Sequence, residues 1–245
     1  MSKGISVVWI PGAWHGPEAF NEAAEYVASK GYTNVFVHTP SVGNALNDPI
    51  EDSDYTRRQI LEELDNKGRD VVVICHSYGG VVCTNSCKGL AKKDRQGKDT
   101  AVIGTVYMCA FALSKGVCLW DGIGQKPLPW FIEQGDMLMA DRSEEIFYND
   151  CTAGQQAQYK AALKPHSYNT MKQPVLYEVW KDIPSTYLIC ELDNAIPVDA
   201  QRGMIEAAGT FKDSKTIKAS HSPFISMPKE TADYIVESIE KFFKA

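Results

Sequence analysis

Several features are missing from this 245-residue chain, and each absence removes a class of function. No apolar run approaches the roughly 20 residues that cross a bilayer, so no membrane span is expected. Clustered Lys and Arg are missing too, and the net charge is -6. The densest basic stretch, Lys92-Lys93-Asp94-Arg95-Gln96-Gly97-Lys98, mixes signs and contains a Gly. It reads as a solvated loop after a helix, which leaves no electrostatic reason to approach phosphate backbones or anionic lipid. Nucleic acid and membrane are therefore not expected partners. The seven cysteines (75, 83, 87, 109, 118, 151, 190) form no CxxC pair and have no His-rich spacing. That excludes the usual sequence patterns of a metal centre and of a redox dithiol, and several of these thiols fall in apolar runs where they pack as small hydrophobes. Met1-Ser2-Lys3-Gly4 runs directly into a six-residue strand-like segment, too short for a signal-peptide core and with no small-residue cleavage site after it. A reducing cytoplasm is the expected compartment.

What is present is an ordinary globular balance, 44% apolar and 23% charged, at a length suited to one domain. Apolar runs bounded by turn residues recur at Ile5 to Ile10, Val35 to Val37, Val71 to Ile74, Ala101 to Leu113 and Thr186 to Cys190, with a weaker one at Thr216 to Lys218. They are β-branched and nearly continuous, as strands buried on both faces of a parallel sheet must be. Helical patterns at Pro17 to Lys30, Asp54 to Asn66 and Thr231 to Phe243 alternate with them, with Asp52, Ser53 or Asp54 available to cap the second. The expectation is an α/β fold built on a doubly wound, mostly parallel sheet.

The alternation fails between Ser114 and about Asp182, where helical pieces at Ser143 to Tyr148 and Gly154 to Leu163 interrupt a stretch too long for a connection. Long insertions of this kind usually serve a function. Residues 114–182 read as a cap or lid, between core segments 1–113 and 183–245. Trp120 to Met139 combines Trp120, Trp130, Phe131, Met137 and Met139 with Gly122, Gly124, Pro127 and Pro129, which suggests an apolar roof with little regular structure. Each of these side chains is read either as roof over a substrate or as the cap's own core.

The sharpest local signal is Val71-Val72-Val73-Ile74-Cys75-His76-Ser77-Tyr78-Gly79-Gly80, a buried strand breaking into a helix with Ser at the break. This is the nucleophile elbow, here C-x-S-x-G in place of G-x-S-x-G; the residues two before and two after Ser77, Cys75 and Gly79, are small enough for the turn. A Ser hydroxyl needs an adjacent base, itself oriented by a carboxylate. Of five His, only His221 follows a late strand and precedes the last helix, in Ala219-Ser220-His221-Ser222-Pro223-Phe224. His38 lies at an early strand end, His166 in the cap, and the His76 side chain points away from Ser77. For the acid, Asp193 in the loop after the Thr186 to Cys190 strand is preferred to Glu191 at its end and to Asp199 at the next helix start. At the end of the first strand, Ile10-Pro11-Gly12-Ala13-Trp14-His15-Gly16 can aim a backbone N–H at the nucleophile, so the Ala13 and Tyr78 amides are the expected oxyanion hole. Trp14 and His15 flank the substrate in this reading, although His15 serves equally well as a loop-stabilising hydrogen-bond donor.

The elbow, the Gly-Ala-Trp-His-Gly loop, the Asp193 loop and Ser-His-Ser-Pro-Phe together resemble the α/β-hydrolase superfamily. The similarity is greatest to its small-esterase branch of plant methylesterases, hydroxynitrile lyases and related uncharacterised microbial and fungal hydrolases, and it spans nearly the whole chain. It implies the α/β-hydrolase fold with an inserted cap, and a serine hydrolase acting through an acyl-enzyme. The chain has Pro11-Gly12 where members often have His-Gly, and Ser222 where the hydroxynitrile lyases carry a Lys after the catalytic His. The expected substrates are small to medium uncharged esters or lactones, with Trp14, His15, Trp120, Trp130 and Phe131 as binding residues. No metal or organic cofactor is implied, and a homodimer is compatible with this reading. A lyase or cyclase using the same pocket is the alternative, and a ligand receptor on a hydrolase scaffold is a third.

Overall fold

Continuous apolar, β-branched strands need cover on both faces, and the chain supplies it by placing a helix after almost every strand. The structure, a computed structural model, describes residues 4–244. The expected start without a leader at Met1 to Lys3, and the outer ends of the two core segments, lie outside the described residues.

Strand β1 (Ile5–Ile10) leads through a 3-10 turn into helix α1 (Asn21–Ala28), which stops at Gly31 with φ +90°. After β2 (Thr33–Phe36) comes α2 (Glu51–Leu61), which begins three residues earlier than the apolar pattern suggests and continues into a π turn. Asp52 therefore lies in the first helical turn, fully buried, instead of capping the helix from outside. Strand β3 (Asp70–His76) feeds α3 (Gly79–Ser86), buried along its whole length. Strand β4 (Val102–Met108) is shorter than the expected Ala101 to Leu113 strand. Cys109 turns to φ +34° and takes the chain out of the sheet, so the remaining apolar residues form a loop beside Ser77.

Next come α4 (Leu119–Gly122), β5 (Phe131–Gln134), β6 (Met137–Ala140), α5 (Ser143–Ile146), α6 (Ala153–Ala162) and β7 (His166–Ser167). Here the sequence reading needs correcting: half of the expected irregular roof is a hairpin. Its turn uses Gly135 at φ +60°, and Phe131 pairs with Ala140 across it. Helix α6 starts with a capping box, Thr152 Oγ1 accepting from Gln155 N at 3.3 Å and Gln155 Oε1 accepting from Thr152 N at 3.0 Å.

The chain returns through β8 (Ser185–Cys190), α7 (Val198–Ala208), β9 (Asp213–Ile217), α8 (Pro223–Ser226) and α9 (Pro228–Ser238). One six-stranded sheet runs β2-β1-β3-β4-β8-β9 with every neighbouring pair parallel, and β5-β6-β7 make a second, antiparallel one. Val71, Val72, Val73 and Ile74 in central β3 are fully buried, worth about 1.5–3 kcal/mol each. That anchors the strand from whose end Ser77 projects. Among the described residues no helix is long and apolar enough to cross a membrane.

Candidate active site

Ser77 follows β3 with φ +53°, a conformation that costs a non-glycine residue about 1–3 kcal/mol unless its surroundings fix it. They do. The Ser77 carbonyl accepts from Gly80 N at 3.0 Å and from Phe111 N at 3.1 Å. Neighbouring glycines let three chain segments converge. A Cβ on Gly79 would lie 2.7 Å from the Ile10 and Pro11 carbonyl oxygens, one on Gly80 2.3 Å from Phe111 O, and one on Gly12 2.8 Å from Ser77 Cβ. Cys75 fits as the small residue before the turn; it is fully buried and its thiol donates to Val106 O at 3.6 Å. The Ala13 and Tyr78 amides have no acceptor among the described residues, and both residues line the same cavity as Ser77.

His221 lies in the loop after β9, and its Nδ1 donates to Asp193 Oδ2 at 2.7 Å. Asp193 Oδ1 in turn accepts from Ala195 N at 2.7 Å and Ile196 N at 2.8 Å. Glu191 and Asp199 are exposed and take no part. Sequence reading missed Gln201, which is fully buried on α7 and donates from Nε2 to Asp193 Oδ2 at 3.2 Å and to Ile196 O at 2.8 Å. Its only sequence signal is a polar residue at a core-facing position of an amphipathic helix.

Behind His221, His76 Nε2 donates to the His221 carbonyl at 2.7 Å, and the Cys109 thiol points at the same oxygen at 3.4 Å. Burial, with His221 and His15 nearby, keeps His76 neutral well below the usual histidine range. His76, Cys109 and His221 bring donor atoms within 4.8 Å of one another. His76 Nε2 and the Cys109 thiol both direct their hydrogens at the His221 carbonyl and Nδ1 of His221 is held by Asp193, while His76 Nδ1 has no hydrogen-bond partner among the described residues.

The cavity beside Ser77 and His221 measures about 20 Å³ as space open to a water's centre, room for about one water. No Asp, Glu, Lys or Arg lines it. Trp14, Trp130 and Phe131 do, with Trp14 at φ +67° and its ring 5.5 Å from Trp130 and 5.6 Å from Phe131. The structure does not bring His15 or Trp120 there. His15 donates from Nδ1 to Ala13 O at 2.7 Å and accepts from Tyr148 OH at 2.7 Å, so both nitrogens are used within and behind the loop that follows β1. Trp120 packs against Tyr168 at 5.7 Å. Phe111, Phe147, Leu119 and Met171 join the lining without having been anticipated. Among the described residues no hydrogen bond joins Ser77 Oγ to His221, a contact that commonly tightens only around bound substrate. A larger cavity of about 1030 Å³ lies at the other, N-terminal end of the strands, by Gly4, Asp70 and Phe243, with no Ser, Thr, Cys or His in its lining.

A model described as "Alpha/beta hydrolase family" matches residues 7–234. The chain is 31% identical over 230 residues to the alpha/beta hydrolase nvfD of Aspergillus novofumigatus (strain IBT 16806), covering 91% of this chain and 92% of that protein. Among solved structures, polyneuridine aldehyde esterase superposes with a TM-score of 0.77 at 16% identity, covering 96% of this chain and 99% of that one. A methylesterase from Arabidopsis gives 0.72 at 20% identity, with the same coverages of 96% and 99%.

Proposed function

Because the chain belongs to the alpha/beta hydrolase family, we propose that it is a serine hydrolase cleaving small to medium uncharged esters or lactones through an acyl-enzyme. One observation carries the reading: a strained Ser at a strand-to-helix break shares a cavity with a histidine whose far nitrogen is held by a buried carboxylate. In this mechanism Ser77 Oγ attacks the acyl carbonyl while its proton passes to His221. The Ala13 and Tyr78 amides receive the oxyanion. His221 then protonates the departing alcohol oxygen, and water, deprotonated by His221, releases the acid and restores Ser77. Asp193 holds the tautomer and stabilises the imidazolium; Gln201 holds Asp193.

The substrate class follows from the lining. With no charged side chain beside Ser77, a phosphate or a carboxylate would be desolvated without a partner, whereas aromatic and short acyl groups meet Trp14, Trp130, Phe131 and Phe147. A relative from Sphingobium wenxiniae, 23% identical, is named a pyrethroid hydrolase, which fits an apolar ester. Residues 114–182 act as the cap in this reading. A cavity of about 20 Å³ is far below the several hundred Å³ of a ligand site, so the partly exposed lining residues Ile123 and Leu128 move away to admit substrate. Seven free cysteines fit a reducing cytoplasm.

The experiment is a fluorophosphonate probe followed by an ester panel. Labelling at Ser77 that disappears in Ser77→Ala supports the nucleophile; labelling at another residue overturns it. Higher kcat/KM on aryl and short acyl esters than on long-chain triglycerides or charged thioesters supports the pocket, and the reverse order refutes it.

A further inference from the structure

Asp52 is fully buried in the first turn of α2 and has no cationic partner among the described residues. Its Oδ1 accepts from Ser41 N at 2.9 Å, and its Oδ2 accepts from Tyr78 OH at 2.8 Å while also meeting Ser41 Oγ. Ser41 Oγ also meets His166 Nδ1 at 3.3 Å, and His166 Nε2 meets Thr170 Oγ1 at 2.8 Å. A count of hydrogens fixes much of this array. The Thr170 hydroxyl has one hydrogen and donates it to Ser167 O at 2.7 Å, so His166 Nε2 must be the donor to Thr170. The two contacts linking Asp52, Ser41 and His166 then need two hydrogens, and Ser41 supplies only one. The other sits on Asp52 or on His166, so one titratable proton serves two groups. Burial raises the Asp52 carboxyl and lowers His166 to about 3, which both favour the uncharged arrangement with the proton on Asp52.

The array ends at the site. Tyr78 follows the nucleophile, lines its cavity, and packs its ring 4.9 Å from His166. His166 in turn lies 5.9 Å from the Trp14 ring. It belongs to β7, which is stitched to the core by a bridge between Val42 and His166 and by Ser167 N donating to Ser41 O at 3.0 Å.

We propose that Asp52 is a positioning residue of the oxyanion hole: it fixes Tyr78 through the phenol and shares one proton with His166 through Ser41, tying the inserted β7 strand to the nucleophile turn. In its kinetic consequence the proposal rests on the ester-hydrolysis reading.

Two measurements test it. In the first, Tyr78→Phe, Ser41→Ala and Asp52→Asn are compared for kcat, KM and thermal midpoint on the best ester. Tyr78→Phe deletes one hydroxyl and should fold even where Asp52→Asn does not. Loss of positioning lowers kcat by about ten- to a hundredfold with KM little changed. The Asp52→Asn/Tyr78→Phe double variant should then be no worse than the poorer single. A Tyr78→Phe enzyme with native kcat, whatever its thermal midpoint, overturns the positioning role. The second measurement needs no turnover: imidazole ¹⁵N NMR of the whole protein. His166 should appear as the neutral Nε2–H tautomer with no titration between pH 8 and 5. An ordinary independent titration, or a neutral imidazole carrying its hydrogen on Nδ1, overturns the shared proton. If the wild type turns over no ester, the hydrolysis reading fails and the NMR result still decides the array.

Discussion

Acid should unfold this protein over a narrow range, and the cause is a set of buried neutral histidines. His15 is lowered to about 4 and His166 to about 3, chiefly by burial, and His76 lies well below its ordinary value for the same reason. In the unfolded chain all three titrate near 6.5. A histidine with a depressed folded pKa contributes stability that is present above the unfolded value and is lost as pH falls toward the folded one. Each accounts for about 1.4 kcal/mol per pH unit in that window, so three give about 4. Asp52 acts with the opposite sign, because its raised carboxyl keeps in the fold a proton that the unfolded chain releases, so the net slope is smaller than that of the three histidines alone. From pH 6 to 4.5 the loss is then at most about 6 kcal/mol, a large share of the 5–15 kcal/mol typical of a domain. The assay is urea unfolding at half-unit steps of pH, comparing wild type with His15→Gln. Removing one depressed histidine should lower the slope by about 1.4 kcal/mol per unit. A wild-type stability that is flat from pH 6 to 4.5, or a slope unchanged in His15→Gln, would refute the reasoning.

Further outcomes follow from the site. Ser77→Ala should abolish ester turnover while leaving the thermal midpoint within a few degrees, since the hydroxyl has no internal partner to lose; residual turnover near the native level would exclude the nucleophile. Gln201→Leu strips a donor from Asp193 and leaves Cys190 N without its acceptor, which together should cost about 1–3 kcal/mol of stability and lower kcat more than it raises KM; unchanged kcat would detach Gln201 from the acid. Gly12→Ala would set a methyl 2.8 Å from Ser77 Cβ and 2.9 Å from His76 Nδ1, so fluorophosphonate labelling should slow at least tenfold; native labelling would show that the loop after β1 yields freely.

The parts of this molecule legible in the sequence are those whose cause is local. Val71 to Ile74 reads as a buried strand because four consecutive β-branched residues leave no polar face, and the structure buries all of them. The turn at Ser77 is legible because Gly79 and Gly80 are required where a helix start approaches two other chain segments. The Asp193 loop is legible from chain order, since an acid must leave a strand between Ser77 and His221. Misreadings also have local causes: Ala101 to Leu113 is uniformly apolar, and nothing in it announces that Cys109 leaves the sheet at φ +34°.

What could not be read depends on partners far away along the chain. His15 reads as a loop-stabilising donor as readily as a substrate contact, and its bond to Ala13 O bears out the former, but its second partner Tyr148 lies 133 positions on, and His166 meets Ser41 125 positions back. Asp52 had the right residue type for a helix cap, and only the earlier start of α2 turns it inward to Tyr78. A carboxylate at a helix start is ordinarily exposed and worth a few tenths to 1 kcal/mol. Buried without a cation, the same group costs several kcal/mol unless it is protonated or well bonded. A buried carboxylate without a cation, bonded to the residue that follows Ser77, is therefore a stronger sign of function than its position in the sequence.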